Sequence, residues 1–269
     1  MYHKLFWSLC IVGASFLAAC QSDPTPAAVD VRIEAHDYAR CLRDSLCVEV
    51  HIKYPVASST DAALAQRLTD TLQSLVGALV DVGEPTETAP TQPFKQQMEN
   101  LGPGLLKSLE ADFGQDTSIR TMTYTVGVET KVLLNAPRYL SAEVSSYVYL
   151  GGAHGMGNTA YVTLHKSTGR KVTLEEVFSD PKALQPLVER AFLEANKAKG
   201  MSEEETTLGN LLLSPEMGLP LPSNFCVVAE GIRMIYNPYE VTAYALGPTE
   251  FTLSWEQLGQ LANRDKWLK

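Results

Sequence analysis

The side chains that could carry out chemistry are few and widely spaced in this sequence. Histidines lie at positions 3, 36, 51, 154 and 165, and no pair of them has the spacing of metal ligands. The sequence contains neither a Gly-x-Ser-x-Gly elbow nor a phosphate-binding glycine loop followed by lysine. We therefore expect no metal and no cofactor. The residues favour a binding protein over an enzyme, although two carboxylates brought together by the fold could hydrolyse a glycoside.

One segment combines glycines with a histidine. Residues 145–155 read Ser-Ser-Tyr-Val-Tyr-Leu-Gly-Gly-Ala-His-Gly. Gly151 and Gly152 follow a predicted strand and can adopt positive φ, so His154 would project from a tight loop. Three interpretations of His154 stay open: a structural side chain that hydrogen-bonds the nearby backbone, a contact for a binding partner, or a catalytic base.

A second segment, Asn237-Pro238-Tyr239-Glu240, has the residues of a turn. Pro238 fixes its own φ, Tyr239 offers a rigid aromatic ring with a polar tip, and Glu240 adds charge. Tyr244 follows shortly afterwards. The two tyrosines could contact a partner or fill the edge of the core, and the residues alone leave both interpretations open.

The composition is that of an acidic globular protein. Of the 269 residues, 45% are hydrophobic and 20% are charged, which argues against a disordered chain, a collagen-like repeat or a polytopic membrane protein. Lys and Arg total 22 against 31 Asp and Glu, so the formal net charge is −9. Because such a protein repels phosphate backbones, we do not expect nucleic acid as a partner.

The first 19 residues are typical of a secretory signal peptide, with an apolar run at residues 5–17 that is too short to span a bilayer. Leu17-Ala-Ala-Cys20 resembles a bacterial lipobox, which predicts cleavage before Cys20 and acylation of its thiol. An ordinary secretory site with a chance cysteine is the alternative. Gln21, rather than Asp, indicates the outer membrane facing the periplasm, by resemblance to Gram-negative lipoprotein sorting. Residues 20–29 would form a lipidated tether.

An oxidising periplasm would allow the remaining cysteines to pair. A polar turn separates Cys41 from Cys47 between two strand-like runs, so a disulfide that closes a hairpin is the natural pairing. A metal site there would need more ligands than His36 and His51 supply. Cys226 lies in the run Phe-Cys-Val-Val and is expected to be an inert, buried thiol.

The hydrophobic pattern predicts an α+β fold. Residues 29–54 alternate as a strand hairpin, and residues 62–80 form an amphipathic helix that Asp61 can cap. Residues 94–113 are helical but contain Gly-Pro-Gly, so one kinked helix and two shorter ones are both open.

Later segments extend this pattern. Long strand runs at residues 119–134 and 138–150 predict a central antiparallel pair. Thr173 followed by Glu176 has the pattern of a capping box for a short helix. We expect an antiparallel sheet with covering helices, arranged in two closely associated subdomains.

Four segments together resemble a known family. They are the segment at residues 145–155, which contains His154 and is called the histidine loop below, the Asn-Pro-Tyr-Glu turn, and the segments at residues 161–165 and 174–178. Their order is similar to that in the C-terminal domain of the RsiV-like family. A smaller α/β domain precedes this domain in RsiV-like proteins and in PdaC-type peptidoglycan deacetylases. The resemblance implies a PdaC-like N-terminal α/β domain at residues 30–137 and an RsiV-like C-terminal domain at residues 138–269.

The resemblance also implies a function, because RsiV-like proteins bind lysozyme through the face to which the Asn-Pro-Tyr-Glu turn belongs. We expect a lipid-anchored periplasmic protein that binds or inhibits lysozyme-type muramidases or another peptidoglycan-related ligand. A cell-wall hydrolase or esterase using His154 is one alternative, and a non-catalytic scaffolding lipoprotein is another. The candidate binding residues are Gly151, Gly152, His154, Pro238, Tyr239 and Tyr244.

The sequence departs from both relatives. It has a lipobox where RsiV has a cytoplasmic segment and a membrane helix, so the sigma-factor role of RsiV does not transfer. It also lacks the Asp-Asp pair and the His-x-x-x-His motif of the separate catalytic domain of PdaC-type deacetylases.

Overall fold

The computed structural model describes residues 27–43, 45–80, 93–113 and 121–269. The predicted signal peptide, Cys20 and most of the predicted tether lie outside these residues. Within the described ranges, no helix combines the length and the apolar character needed to cross a bilayer.

Five strands form the first sheet, and their spatial order follows the chain. They are β1 (Val29–Arg43), β2 (Leu46–Ser59), β3 (Met122–Asn135), β4 (Tyr139–Tyr149) and β5 (Met156–His165). Neighbouring strands are antiparallel except β2 and β3, which are parallel. The predicted antiparallel pair, β3 and β4, is confirmed, whereas the parallel pairing of β2 with β3 departs from the expected antiparallel sheet. A parallel pair needs a long crossover, and two helices lie between β2 and β3 in the chain.

The first helix, α1 (Ala62–Leu79), packs on this sheet. Its cap is as predicted, since the Asp61 carboxylate accepts a hydrogen bond from the Leu64 amide at 2.9 Å. Its apolar stripe includes Leu68, Leu72 and Val76, which are completely buried. The stripe covers one face of the sheet, where β2 and β3 contribute alternate buried side chains.

The second helix, α2 (Phe94–Phe113), is continuous although it contains Pro103. This settles the choice between one helix and two in favour of one. Gly102 lies against the ring of Tyr38 on β1, and a Cβ atom at Gly102 would approach that ring to 2.3 Å. Glycine at this position therefore permits a close contact between helix and sheet.

The C-terminal part contains a second sheet and shorter helices. Its antiparallel strands are β6 (Phe225–Val228), β7 (Gly231–Tyr236) and β8 (Thr249–Ser254). Its helices are α3 (Leu174–Val177), α4 (Gln185–Lys197), α5 (Leu208–Leu211), α6 (Trp255–Leu258) and α7 (Arg264–Leu268). They enclose a core in which Phe192, Tyr236 and Trp267 are almost completely buried. The α+β class with two subdomains is confirmed.

The expected domain boundary between residues 137 and 138 falls inside the first sheet. Strands β3 and β4 lie on either side of it and form an antiparallel hairpin that pairs along most of its length, with one register shift between Val132 and Leu134. In the structure, β4 and β5 therefore belong to the same sheet as β1–β3.

Cys41, Cys47 and Cys226 are arranged as predicted. Cys41 and Cys47 lie opposite each other in the β1–β2 ladder and form a disulfide. Cys226 is a free, fully buried cysteine in β6, and burial raises the pKa of its thiol to about 12. The thiol is therefore protonated and unreactive at neutral pH.

The predicted capping box at Thr173 is wrong. Thr173 precedes α3, but its side chain makes no capping hydrogen bond. The Glu176 carboxylate instead binds Arg170 and His165, at 2.5 Å and 2.6 Å. Charged hydrogen bonds of this kind are stronger than a bond to a neutral backbone amide, so they decide the direction of the Glu176 side chain.

Candidate functional site

Two loops that are far apart in the sequence meet at the surface and form an aromatic stack. The ring of His154 stacks on Tyr244, with 3.9 Å between ring centroids and 17° between planes. Tyr239 lies against the same tyrosine, with centroids 5.4 Å apart and an interplanar angle of 28°. The structure thus brings together three of the predicted candidate residues. We refer to His154, Tyr244 and Tyr239 as the aromatic stack.

Gly155 is the point on which these loops converge. Its carbonyl oxygen accepts a hydrogen bond from the Tyr244 hydroxyl at 2.6 Å and lies 3.0 Å from Nδ1 of His154. Because a carbonyl can only accept, Nδ1 carries the proton in this contact. A Cβ atom at Gly155 would lie 2.4 Å from the Tyr147 ring, so this ring packs directly on the glycine.

Tyr147 is a site residue that the sequence reasoning missed. It lies on β4, and 49% of its surface is exposed although it is a large aromatic residue. The strand pattern places it on the face opposite the buried Val144, and this alternation was the available signal. Its contact with Gly155 could not be predicted, because it depends on how the loop after β4 folds back.

The predicted glycine pair shapes the histidine loop. Gly151 and Gly152 have φ values of +87° and +90°, which only glycine adopts without strain. The Gly152 carbonyl accepts a hydrogen bond from the Tyr149 hydroxyl at 3.1 Å. Both glycines therefore turn the chain from β4 towards His154. They have no side chain, so they shape the loop and add no contact to the aromatic stack.

Tyr239 is held in an unusual backbone conformation. Its φ is +68°, and within the described ranges it is the one residue other than glycine with positive φ. The turn is closed by its neighbours, since the Glu240 carboxylate accepts a hydrogen bond from the Asn237 amide at 2.9 Å. Non-glycine residues in this region carry roughly 1–3 kcal/mol of strain and are enriched at functional sites. Tyr239 remains 52% exposed.

Two asparagines attach the C-terminal segment to the edge of the first sheet. Asn237 accepts a hydrogen bond from the Thr159 amide at 2.8 Å and donates one to the Thr159 carbonyl at 3.0 Å. Asn224 accepts from the Tyr161 amide at 2.7 Å and also donates to Thr159. These bonds satisfy outward-facing backbone groups of β5, and they fix the position of Tyr239 relative to the histidine loop.

A groove of about 440 Å³ lies beside the aromatic stack. Residues of β4 and β5 form one wall, and Pro238 and Tyr244 belong to the other. Pro238 therefore contributes to the groove, whereas Tyr239 projects next to it. The volume is within the range of about 300–1,000 Å³ that is usual for small-molecule sites.

The surroundings of His154 are aromatic and backbone groups. In the part of the chain that the structure describes, no carboxylate or hydroxyl nucleophile is bonded to this histidine. The described residues also contain no group of three or more His, Cys, Asp or Glu that could hold a metal ion. The ring of His154 is held by stacking on Tyr244 and by its hydrogen bond to Gly155.

A cluster of charged groups around another histidine lies elsewhere. His165, at the end of β5, contacts the Glu176 carboxylate, which Arg170 also binds. The hydrogen bond from Arg170, followed by that from His165, lowers the pKa of Glu176 to about 2. This cluster links β5 to α3, and none of its three residues lines the groove.

The sheets and the loop-built site define a two-subdomain α+β protein whose surface site is formed by both subdomains. Residues 42–157 match the family described as "Deacetylase PdaC", and residues 175–256 match the family described as "Protein of unknown function (DUF3298)". The chain thus matches the PdaC and DUF3298 family models in tandem, as the RsiV-like and PdaC-type resemblance predicts. This combination supports an envelope-associated protein. His154 lies in the first region, and Tyr239 and Tyr244 lie in the second.

Two solved structures have a similar fold. A DUF3298 family protein from Bacteroides fragilis is 23% identical, with a TM-score of 0.64 over 89% of this chain and 96% of that chain. One from Pseudomonas aeruginosa is 14% identical, with a TM-score of 0.61 over 91% of this chain and 98% of that one. At these identities the likeness shows the fold alone. No curated protein matches the sequence.

Proposed function

We propose that this protein is a non-catalytic, lipid-anchored binding protein of the periplasm, and that its partner is a basic protein of the lysozyme-type muramidase class. The observation that carries the proposal is the aromatic stack, which the two family regions build together. Tyr239 is half-exposed in spite of its size, and its strained backbone is held by the bonds of Asn237 and Glu240. Exposed, rigid tyrosines are typical anchors of protein interfaces.

The surface next to Tyr239 supports a protein partner. Leu213 and Met217 are 55% and 83% exposed, and the Leu213 amide donates a hydrogen bond to the Val241 carbonyl at 3.0 Å. Two large apolar side chains are thus attached to the segment that carries Tyr239. Aromatic residues and methionine are enriched in interface cores.

The charge of the protein supports a basic partner. The formal net charge is −9, and Glu216 and Glu240 adjoin the exposed apolar residues in the chain. Opposite charges steer two proteins towards each other and accelerate their association at low salt.

Retention of lysozyme on the immobilised protein tests the proposal. We expect binding that weakens with added salt and that Tyr239→Ala reduces about tenfold or more, because a buried tyrosine anchor contributes about 2 kcal/mol. Ile33→Ala is the matched control, since Ile33 is also exposed but lies on β1, away from the stack. Absence of lysozyme retention at low salt would contradict the proposal.

A hydrolase or esterase using His154 is the second candidate. It predicts turnover of peptidoglycan fragments by the protein and loss of turnover in His154→Ala. The contacts of His154 with Tyr244 and Gly155 support binding instead, because they supply no activated nucleophile. A stable endogenous partner in pull-downs, with no effect of lysozyme, would favour a scaffolding lipoprotein.

Attachment through Cys20 has its own test. Several acyl chains on one cysteine anchor a protein firmly, so the protein should fractionate with outer membranes. Cys20→Ser should release it into the soluble periplasmic fraction. Membrane association that persists in this variant would exclude lipidation of Cys20 as the anchor.

A further inference from the structure

The groove beside the aromatic stack has a wall chemistry of its own. Tyr147 and Tyr244 line it together with Ser145, Asn158 and Thr159. Of the described residues that line it, none is charged. The groove thus combines aromatic rings with neutral hydroxyl and amide groups.

We propose that this groove binds a neutral pyranose saccharide. A pyranose ring has an apolar face of C–H groups, which suits an aromatic ring because the ring face carries negative charge density. Its hydroxyl groups can both donate and accept, which suits amide and hydroxyl side chains.

Tyr147 provides the stacking surface. One side of its ring is fixed against Gly155, and about half of the residue's surface remains exposed. Tyr244 is fixed between His154 and Tyr239, and its hydroxyl is bonded to Gly155, so it forms a rigid wall. Rings that are already held in place lose little conformational entropy when a ligand binds.

The polar groups of the groove are available. Within the described residues, the side chains of Ser145, Asn158 and Thr159 make no hydrogen bond to protein, although the Thr159 backbone is bonded to Asn237. Partly exposed side chains of this kind are hydrated in the free protein and can exchange water for ligand hydroxyls.

The negative charge of the protein and the uncharged lining of the groove disfavour charged ligands. Acidic saccharides would meet a protein with a net charge of −9 and no basic residue among the described groove residues. A cationic ligand would meet no carboxylate there. The groove therefore selects for a saccharide without charge.

This inference goes beyond the proposed function, because the ligand is a saccharide and Tyr147 is not part of the aromatic stack. The two ideas fail separately. Lysozyme retention depends on Tyr239, whereas saccharide binding depends on Tyr147 and on the space in front of Gly157.

Titration calorimetry of the full protein with chitotetraose, cellotetraose and maltotetraose tests the inference, with tetragalacturonate as the acidic comparison. We expect at least one neutral tetrasaccharide to bind and tetragalacturonate not to bind. Tyr147→Ala should weaken binding about tenfold, and Tyr147→Phe should retain it, because stacking needs only the ring. Ile33→Ala is the control, since Ile33 is exposed on β1 and does not line the groove.

A second variant protects the test against misfolding of Tyr147→Ala. Gly157 lines the groove, and a Cβ atom there would meet only the Ser146 carbonyl oxygen, at an ordinary 3.7 Å. Gly157→Val should therefore fold normally and block the groove. The inference is overturned if none of the neutral saccharides binds, if tetragalacturonate binds equally well, or if folded Gly157→Val binds as tightly as the unmodified protein.

Discussion

The side-chain amide of Asn237 pairs with the backbone of Thr159 much as a neighbouring strand would. It accepts from the Thr159 amide at 2.8 Å and donates to the Thr159 carbonyl at 3.0 Å. Strand β5 is the last strand of its sheet, so these groups would otherwise have no ladder partner. The segment that carries Tyr239 is thus attached to β5 through the amide of one asparagine.

Asn237→Ala should lower the free energy of unfolding by about 1–3 kcal/mol, because it leaves the Thr159 amide without its partner. Asn237→Asp should also destabilise the protein, because it keeps an acceptor for that amide but replaces the donor with an oxygen that faces the Thr159 carbonyl. Urea unfolding measures both changes. Asn158→Ala is the control, because Asn158 makes no hydrogen bond through its side chain in the described structure. Equal stability of Asn237→Ala and the unmodified protein would refute the pairing.

Tyr239→Gly should be more stable than Tyr239→Ala by about 1 kcal/mol. Both variants lack the ring, but only glycine adopts a φ of +68° without strain. Comparing the two variants with each other removes the contribution of the lost stacking on Tyr244. Thermal or urea unfolding gives the difference, and an alanine variant as stable as the glycine variant would show that the turn relaxes.

Gly102→Ala and Gly104→Ala should have opposite effects, although both positions lie in α2. A methyl group at Gly102 would collide with the ring of Tyr38, so we expect a loss of about 1–3 kcal/mol. At Gly104 a Cβ atom meets nothing within 4 Å, and alanine should add about 0.5–1 kcal/mol through its helix propensity. Equilibrium unfolding measures both, and a Gly102→Ala variant as stable as the unmodified protein would contradict the helix–sheet contact.

Glu176→Gln should remove a pH-dependent part of the stability. The pKa of Glu176 is lowered from 4.5 to about 2, chiefly by the hydrogen bond from Arg170. A carboxyl with a lower pKa in the folded state stabilises the protein above its unfolded pKa, and this contribution is lost as the pH falls towards the folded pKa. The stability difference between Glu176→Gln and the unmodified protein should therefore be largest near neutral pH and shrink between pH 4.5 and 2.

The exposed Glu175 provides the control for that measurement. Glu175→Gln changes the same charge one residue away, and no hydrogen bond or ion pair of Glu175 is present in the described structure. Its stability difference should be small across the same pH range. A Glu176→Gln difference that stays constant from pH 7 to pH 2 would show that the bond to Arg170 does not determine this titration.

Local patterns predicted the elements of the fold well. Alternation identified β2 and β3, the Asp61 cap marked the start of α1, and the Cys41–Cys47 spacing identified the disulfide. These features depend on residues that are close together in the chain. The parallel pairing of β2 with β3 depends instead on the path of a crossover, which periodicity does not report.

The candidate site was predictable only in part. The glycine pair and the Asn-Pro-Tyr-Glu turn marked two loops, but their meeting at Gly155 depends on the bonds of Asn224 and Asn237 to β5. Likewise, Glu176 matched a capping pattern, whereas the fold offered it Arg170 and His165 as stronger partners. In both cases tertiary contacts chose among options that the local sequence left open.

His154 and Tyr244 come from different family regions, so the stacked rings exist only while the two regions are docked on each other. A fragment containing either region alone would present an unsupported histidine or an unsupported pair of tyrosines. A ligand that contacts both loops would therefore also stabilise the docked arrangement, because its binding energy would oppose separation of the two regions.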